Sequence, residues 1–448
     1  MINLIKAKDL LDPPKILVLG FAFLILVGAY LLTLPISTEN GNGLSFLNAL
    51  FTSTSATCVT GLVVVDTGTT FTTFGELVIL SLIQIGGLGF MSFATLFFFL
   101  LGKRISLKGR LVLQESLNNL SMAGVVKLVK RILIYTAIIE ISGAVILSIR
   151  FSFDMPIGRA IYYGLFHSIS NFNNAGFDLM GGFRSLTTYA SDPFVTLTVA
   201  SLITLGGIGF IVMNEIYEYR DTHRLSVHTK VVLMASLILT IGGAILIFIF
   251  EFGNAKTLQP LSFMGKTLAS LFQSVTPRTA GSNTLNIPDL TQPTLLLIIF
   301  LMFVGASPGS TGGGIKTTTL ATLIGTVWSQ IKGKEDVVLF RYRIVNETIF
   351  KALSVTSIGV FIVSTITILL TITETGSDFL TVLFEATSAF ATVGLSMGLT
   401  PELSPIGRML IIFTMFAGRV GPLTFAFAIA MRRKPDPFRR PKGKIMIG

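Results

Sequence analysis

Apolar residues run along this chain in eight long stretches, arranged in pairs, with a shorter and more polar segment inside each pair. The leading stretches cover roughly 16–35, 132–149, 231–250 and 352–372, and the trailing ones roughly 77–101, 194–213, 294–327 and 409–431. About 20 apolar residues let a helix cross the hydrocarbon of a bilayer, so each stretch predicts a membrane helix. The four inner segments share a Leu-Phe pair, a run of hydroxyl or small residues and a closing glycine. They read LFTSTSATCVTG (Leu50–Gly61), LFHSISNFNNAG (Leu165–Gly176), LFQSVTPRTAG (Leu271–Gly281) and LFEATSAFATVG (Leu383–Gly394). Phe51, Phe166, Phe272 and Phe384 lie 115, 106 and 112 residues apart, and the third copy is one residue shorter between Phe and Gly. The spacing predicts four repeats, at 1–102, 103–222, 223–335 and 336–448.

Each inner segment is too short to span, so it reads as a re-entrant element that dips in and returns to the same side. Its tail leaves the helical pattern. Irregular backbone at membrane depth survives only where it lines protein or a water-filled cavity. Four such tails around one axis make a ring of carbonyls, the arrangement by which a cation filter replaces a hydration shell. The expected fold is therefore an all-α integral membrane protein. It has four parallel helix–re-entrant pore loop–helix repeats around a pseudo-fourfold axis, with eight transmembrane helices.

The trailing helices share a further pattern: QIGGLGF (Gln84–Phe90), TLGGIGF (Thr204–Phe210), FVGASPG (Phe303–Gly309) and FAGRVGP (Phe416–Pro422). Small residues permit close helix packing, which accounts for the first two copies. It does not account for Pro308 with Gly312–Gly314, or for the charged Arg419.

Composition agrees with the membrane reading. Of 448 residues 51% are apolar and 13% charged, about half the charge of a soluble domain, and the mean hydropathy is +0.77. The net charge of +11 is a topology signal. Basic residues gather before the first helix, between the repeats and in the tail MRRKPDPFRRPKGK; these places hold 24 of 34. By the positive-inside rule both termini are cytoplasmic, the protein is multi-pass in the cell membrane, and no nucleic-acid partner is needed. Cys58 stands alone, and three histidines at unrelated spacings do not suggest a metal centre. GGGIKTTT lacks P-loop spacing and follows no soluble strand, so no enzyme is expected.

The four loops SATCVTGL, SNFNNAGF, TPRTAGSN and SAFATVGLSMGLTPE, with the glycine-rich break in the third repeat, resemble the Trk/Ktr/HKT superfamily of potassium transporters. The likeness is closest to the membrane subunit of bacterial Ktr systems (KtrB/KtrD type), and it covers essentially the whole chain. The resemblance implies one pore per subunit of a homodimer in membrane lipid. It also implies potassium uptake, with sodium as a candidate activator, and control by a cytosolic nucleotide-binding ring (KtrA/KtrC type). The nucleotide is then expected on the partner, and the only ion on this chain is potassium at the filter.

The family's filter glycines match Gly61, Gly176, Gly281 and Gly394, and glycine at the first position implies potassium over sodium. The residues just before them, Val59 and Thr60, Asn174 and Ala175, Thr279 and Ala280, Thr392 and Val393, supply the other carbonyls. Side chains differ between the copies while the backbone is common, so carbonyls are the expected donors. Residues 305–314 (Gly305, Ala306, Ser307, Pro308, Gly309, Ser310, Thr311, Gly312, Gly313, Gly314) form an expected gating loop under the filter. Lys316 is expected near the cavity or, in preference, toward the cytoplasmic side, and Arg419 against gate carbonyls or else in a structural ion pair. Arg278 is expected to turn from the axis to a carboxylate, Glu385 or Asp289. A sodium- or proton-coupled symporter is the rival reading, with Glu140 and Glu385 as its few candidate buried acids.

Overall fold

The structure is a computed structural model that describes residues 13–89 and 125–421. The 102/103 boundary, the basic stretch from 103 to 124 and the tail beyond 421 lie outside the described residues. So does the far half of the first trailing stretch.

One order of elements recurs four times. A long helix is followed by a short buried one and then by a trailing helix of 12 to 16 residues. First come α1 (Pro13–Thr33), α2 (Phe46–Thr57) and α3 (Thr73–Leu88). Next are α4 (Val125–Phe151), α5 (Ile157–Phe172), α6 (Pro193–Ile208) and α7 (Phe210–Thr222). Then come α8 (Val227–Glu251), α9 (Phe263–Val275), α10 (Gln292–Phe303) and α11 (Thr317–Ile331). The last are α12 (Asn346–Thr373), α13 (Phe379–Ala391) and α14 (Pro405–Val420). A two-stranded hairpin, β1 (Val338–Leu339) with β2 (Tyr342–Arg343), separates α11 from α12.

Helices α1, α4, α8 and α12 have 21, 27, 25 and 28 residues. At about 1.5 Å per residue each covers the roughly 30 Å of a bilayer's hydrocarbon. Their outer faces leave Phe23, Leu26, Ile138, Ile141, Leu237, Ile241, Phe361 and Ile368 exposed, a surface that suits lipid and not water. The short helices α2, α5, α9 and α13 have 12 to 16 residues and cannot cross. Phe51, Phe166, Phe272 and Phe384 are all 0% exposed. The repeated Leu-Phe pair thus marks where each short helix is anchored in the core.

The trailing helices differ from expectation. None among the described residues runs through as one long rod. α3 stops at Gly89 (φ 82°, ψ 132°), α6 at Gly209 (φ 99°, ψ 135°) and α14 at Gly421 (φ 91°, ψ 132°). These nearly equal angles lie where side-chain-bearing residues are excluded and glycine is not. At Gly209 the chain turns by 96° into α7. The glycines in QIGGLGF and TLGGIGF, expected only to pack, therefore also end helices. α7 is polar over much of its length, and the ion pair of Arg131 with Glu218 ties it to α4.

Candidate ion pathway

The C-terminal ends of the four short helices close in one way, with one exception. After α2, the N–H of Val59 donates to Ala56 O (3.2 Å) and that of Thr60 to Ser55 O (2.8 Å). Asn174 and Ala175 repeat this with Asn171 O and Ser170 O, and Thr392 and Val393 with Ala389 O and Ser388 O. This double closure is a Schellman motif, which needs a left-handed residue just past the helix. Val59 (φ 57°), Asn174 (φ 59°) and Thr392 (φ 51°) supply it. The third copy, one residue shorter, closes instead with Ala280 N–H on Thr276 O (2.9 Å), and Thr279 has φ 77°. Left-handed Val and Thr are uncommon and strained, a feature that concentrates at functional sites.

The glycines then close a ring. A Cβ at Gly61 would press on the carbonyl oxygen of Ala175, at Gly176 on that of Ala280, at Gly281 on that of Val393, and at Gly394 on that of Thr60. All four approaches are closer than the 3.0 Å that real Cβ atoms keep. Each loop thus abuts the next, and the fourth returns to the first. The eight residues preceding the glycines are 0% exposed. Among the described residues no donor reaches the carbonyls of these eight residues or of the four glycines. Buried carbonyls are nearly always paired, so the eight buried, unpaired ones set this ring apart, with those of the four glycines beside the cavity they line.

On the glycine side of the ring lies a cavity of about 340 Å³, lined by all four glycines and by Asp66, Asp178 and Glu402. Asp66 is committed to the fold, accepting from Thr69 (2.9 Å) and from Phe183 N–H (2.7 Å). Burial pushes the Asp178 carboxyl up to about 6; the nearby Asp66 charge adds to the rise, and Met180 N–H and Arg184 oppose it.

On the other side lies the loop between α10 and α11. Its neck is pinned by Ile315 N–H on Phe303 O (3.2 Å) and by Ser307 Oγ against Thr317 Oγ1 (2.9 Å). A helix leaves its last carbonyls without partners, and this loop supplies them for the broken α6. Ser307 N–H donates to Gly207 O (2.9 Å) and Thr311 N–H to Gly206 O (3.2 Å), while Phe210 N–H donates to Gly309 O (2.8 Å). Gly312 and Gly313 lie directly against the side chains of Thr279 and Thr392, leaving no room for a Cβ at either. The loop therefore covers the ring from this side.

Arg419 reaches the loop, as expected from the sequence. Its guanidinium donates to Thr311 O and also to Gly86 O and to Gly87 O (3.2 Å), tying the loop to the end of α3. Lys316 does not extend away from the loop. It folds back, and its Nζ donates to Gly312 O (2.7 Å) and Gly313 O (3.3 Å). Arg278 meets neither expected acid. It donates to Ser236 O (3.3 Å), Ser236 Oγ (2.9 Å) and Thr240 Oγ1 (3.0 Å) on α8. Glu385 is instead engaged by Ser396 (2.9 Å) and Thr400, and Asp289 by Asn286 (2.7 Å) and Lys256 (3.4 Å). Two hydroxyls and a carbonyl of the neighbouring helix hold the terminal nitrogens of Arg278, while its Nε has no hydrogen-bond partner among the described residues; no sequence spacing announces them. Cys58 is buried and free.

Comparison with known proteins agrees with this geometry. Residues 22–437 match the family model described as TrkH, cation transport protein. The chain is 46% identical over 436 residues to the Ktr system potassium uptake protein B of Bacillus subtilis, covering 97% of each. It is 39% identical to the potassium/sodium uptake protein NtpJ of Enterococcus hirae, covering 99% of each. The crystal structure of the potassium transporter TrkH from Vibrio parahaemolyticus superposes with a TM-score of 0.74 at 17% identity, over 94% of this chain and 85% of that one. With its apolar helices and these relatives, the chain is a multi-pass membrane protein and belongs to the TrkH family of cation transport proteins.

Proposed function

We propose that this chain is the potassium-translocating, channel-like membrane subunit of a Ktr-type uptake system. The ring of unpaired carbonyls at 59–61, 174–176, 279–281 and 392–394 carries the reading. It is the selectivity filter, in which backbone oxygens replace the hydration shell of potassium. The 340 Å³ cavity is its outer mouth. Residues 305–314, held by Lys316 and Arg419, are the gate on the cytoplasmic side, because they lie across the exit from the ring. The basic segments 103–131 and 432–444 dock a cytosolic nucleotide-binding ring, and two copies of the chain form a homodimer in the cell membrane with both termini cytoplasmic. The relatives' names support the ion, and the clustering of basic residues supports the orientation.

Purified protein in liposomes tests the reading. Potassium flux down its own gradient is expected without any sodium or proton gradient, with sodium carried far more slowly. A strict requirement for a sodium or proton gradient would replace the channel-like mechanism by symport. Equal potassium and sodium flux would remove the filter assignment.

A further inference from the structure

The four loops share a backbone, but the position three residues before each ring glycine does not. It holds Cys58, Asn173, Arg278 and Ala391. In each of the first three copies a hydroxyl of the short helix reaches a carbonyl of the preceding long helix. Ser53 donates to Ile25 O, Ser168 to Glu140 O and Ser274 to Thr240 O, each at 2.7 Å. Ile25, Glu140 and Thr240 therefore occupy equivalent places behind the ring.

In the first copy that place is apolar. In the second, Glu140 is 7% exposed; Gln84 Nε2 donates to its Oε2 (3.1 Å) and Asn173 Nδ2 to its Oε1 (3.0 Å). In the third, Arg278 is 6% exposed and bonded to Ser236 and Thr240. Among the described residues neither charge has an ion-pair partner. Burying an ionisable side chain without an ion-pair partner is costly, and here an acid and a base stand behind adjacent loops.

We propose that Glu140 and Arg278 are positioning residues that set how strongly the filter holds its cation. Glu140 strengthens the hold through its field and its bond to Asn173, and Arg278 weakens it. The proposal rests on the filter reading above. At an effective dielectric of about 20, a unit charge about 10 Å from a cation changes its affinity on the order of tenfold.

The test is potassium uptake by the full-length chain in liposomes, read as half-saturation and maximal rate separately. Glu140→Gln keeps the shape and removes the charge, and should raise half-saturation on the order of tenfold. Arg278→Gln should lower it by a similar factor, with potassium still preferred over sodium in both. Thr240→Glu sets a carboxylate opposite Arg278 and should act as Arg278→Gln does, which keeps the idea testable if one variant fails to insert. Shifts in the same direction, or changed maximal rates at constant half-saturation, would mean that both groups serve packing alone. A wild-type protein without potassium preference would instead overturn the filter reading.

Discussion

Replacing Gly61 by serine tests the ring at a point where backbone leaves no room for a side chain. Gly61 sits at φ 88°, and an added Cβ would enter the carbonyl oxygen of Ala175. The left-handed backbone alone costs an L-residue about 1–2 kcal/mol. The steric conflict adds to this, because the atom in the way is backbone and cannot rotate aside. Relief requires that Ala175 O leave its place, and Ala175 immediately precedes Gly176, which abuts the carbonyl of Ala280. The distortion therefore passes to the next loop. If only about 1.4 kcal/mol of this falls on the difference between potassium and sodium, their ratio changes tenfold. The assay is paired potassium and sodium flux from liposomes, with Gly61→Ser beside Gly41→Ser. Gly41 also has positive φ, at 68°, but nothing within 4 Å of an added Cβ, so it carries the backbone strain without the ring. We expect Gly61→Ser to lose about tenfold or more in selectivity, and Gly41→Ser to keep it. A folded Gly61→Ser protein with wild-type selectivity would refute the assignment of this loop to the filter.

Arg419→Ala removes bonds to three carbonyls on two elements; with about 1.4 kcal/mol lost from the closed loop, basal potassium flux should rise roughly tenfold. Deleting Gly309–Gly314 should raise it as well, leave selectivity intact, and add less than independently to Arg419→Ala, since groups in contact are coupled; a folded deletion with unchanged flux would count against the gate. Asp178, with its carboxyl raised to about 6, is charged above that pH and neutral below it. Uptake at low potassium should therefore decline as external pH falls through about 6, and Asp178→Asn should abolish that step in a pH series.

The fourfold plan was legible because it is written in backbone requirements. A Leu-Phe anchor, a short polar helix and a glycine that must fit against a neighbour's carbonyl recur whatever the other side chains are. Even the one-residue deficit of the third copy has a structural meaning, since it replaces the double Schellman closure by the single bond of Ala280 to Thr276. What could not be read were partners chosen by tertiary packing. Arg278 finds hydroxyls about 40 positions earlier, and Lys316 turns back on its own loop. Charge alone suggested a carboxylate for the first and named no partner for the second.

The glycine-rich trailing helices show why one motif misled. In TLGGIGF the residues do two different jobs three positions apart. Gly206 lacks a side chain so that α6 can lie against Phe172 O at the end of α5, which is the packing role the sequence suggested. Gly209 instead breaks the helix, and the break frees carbonyls at Gly206 and Gly207 that the loop then caps through Ser307 and Thr311. A continuous α6 would use those carbonyls internally and leave the loop amides unpaired at membrane depth, where nothing else nearby replaces them. The break in α6 and the irregular loop thus satisfy each other's backbone groups. Any motion that withdraws the loop from beneath the ring must also rehydrate or re-pair the end of α6. On the gate reading, water entering the opened pathway would do it.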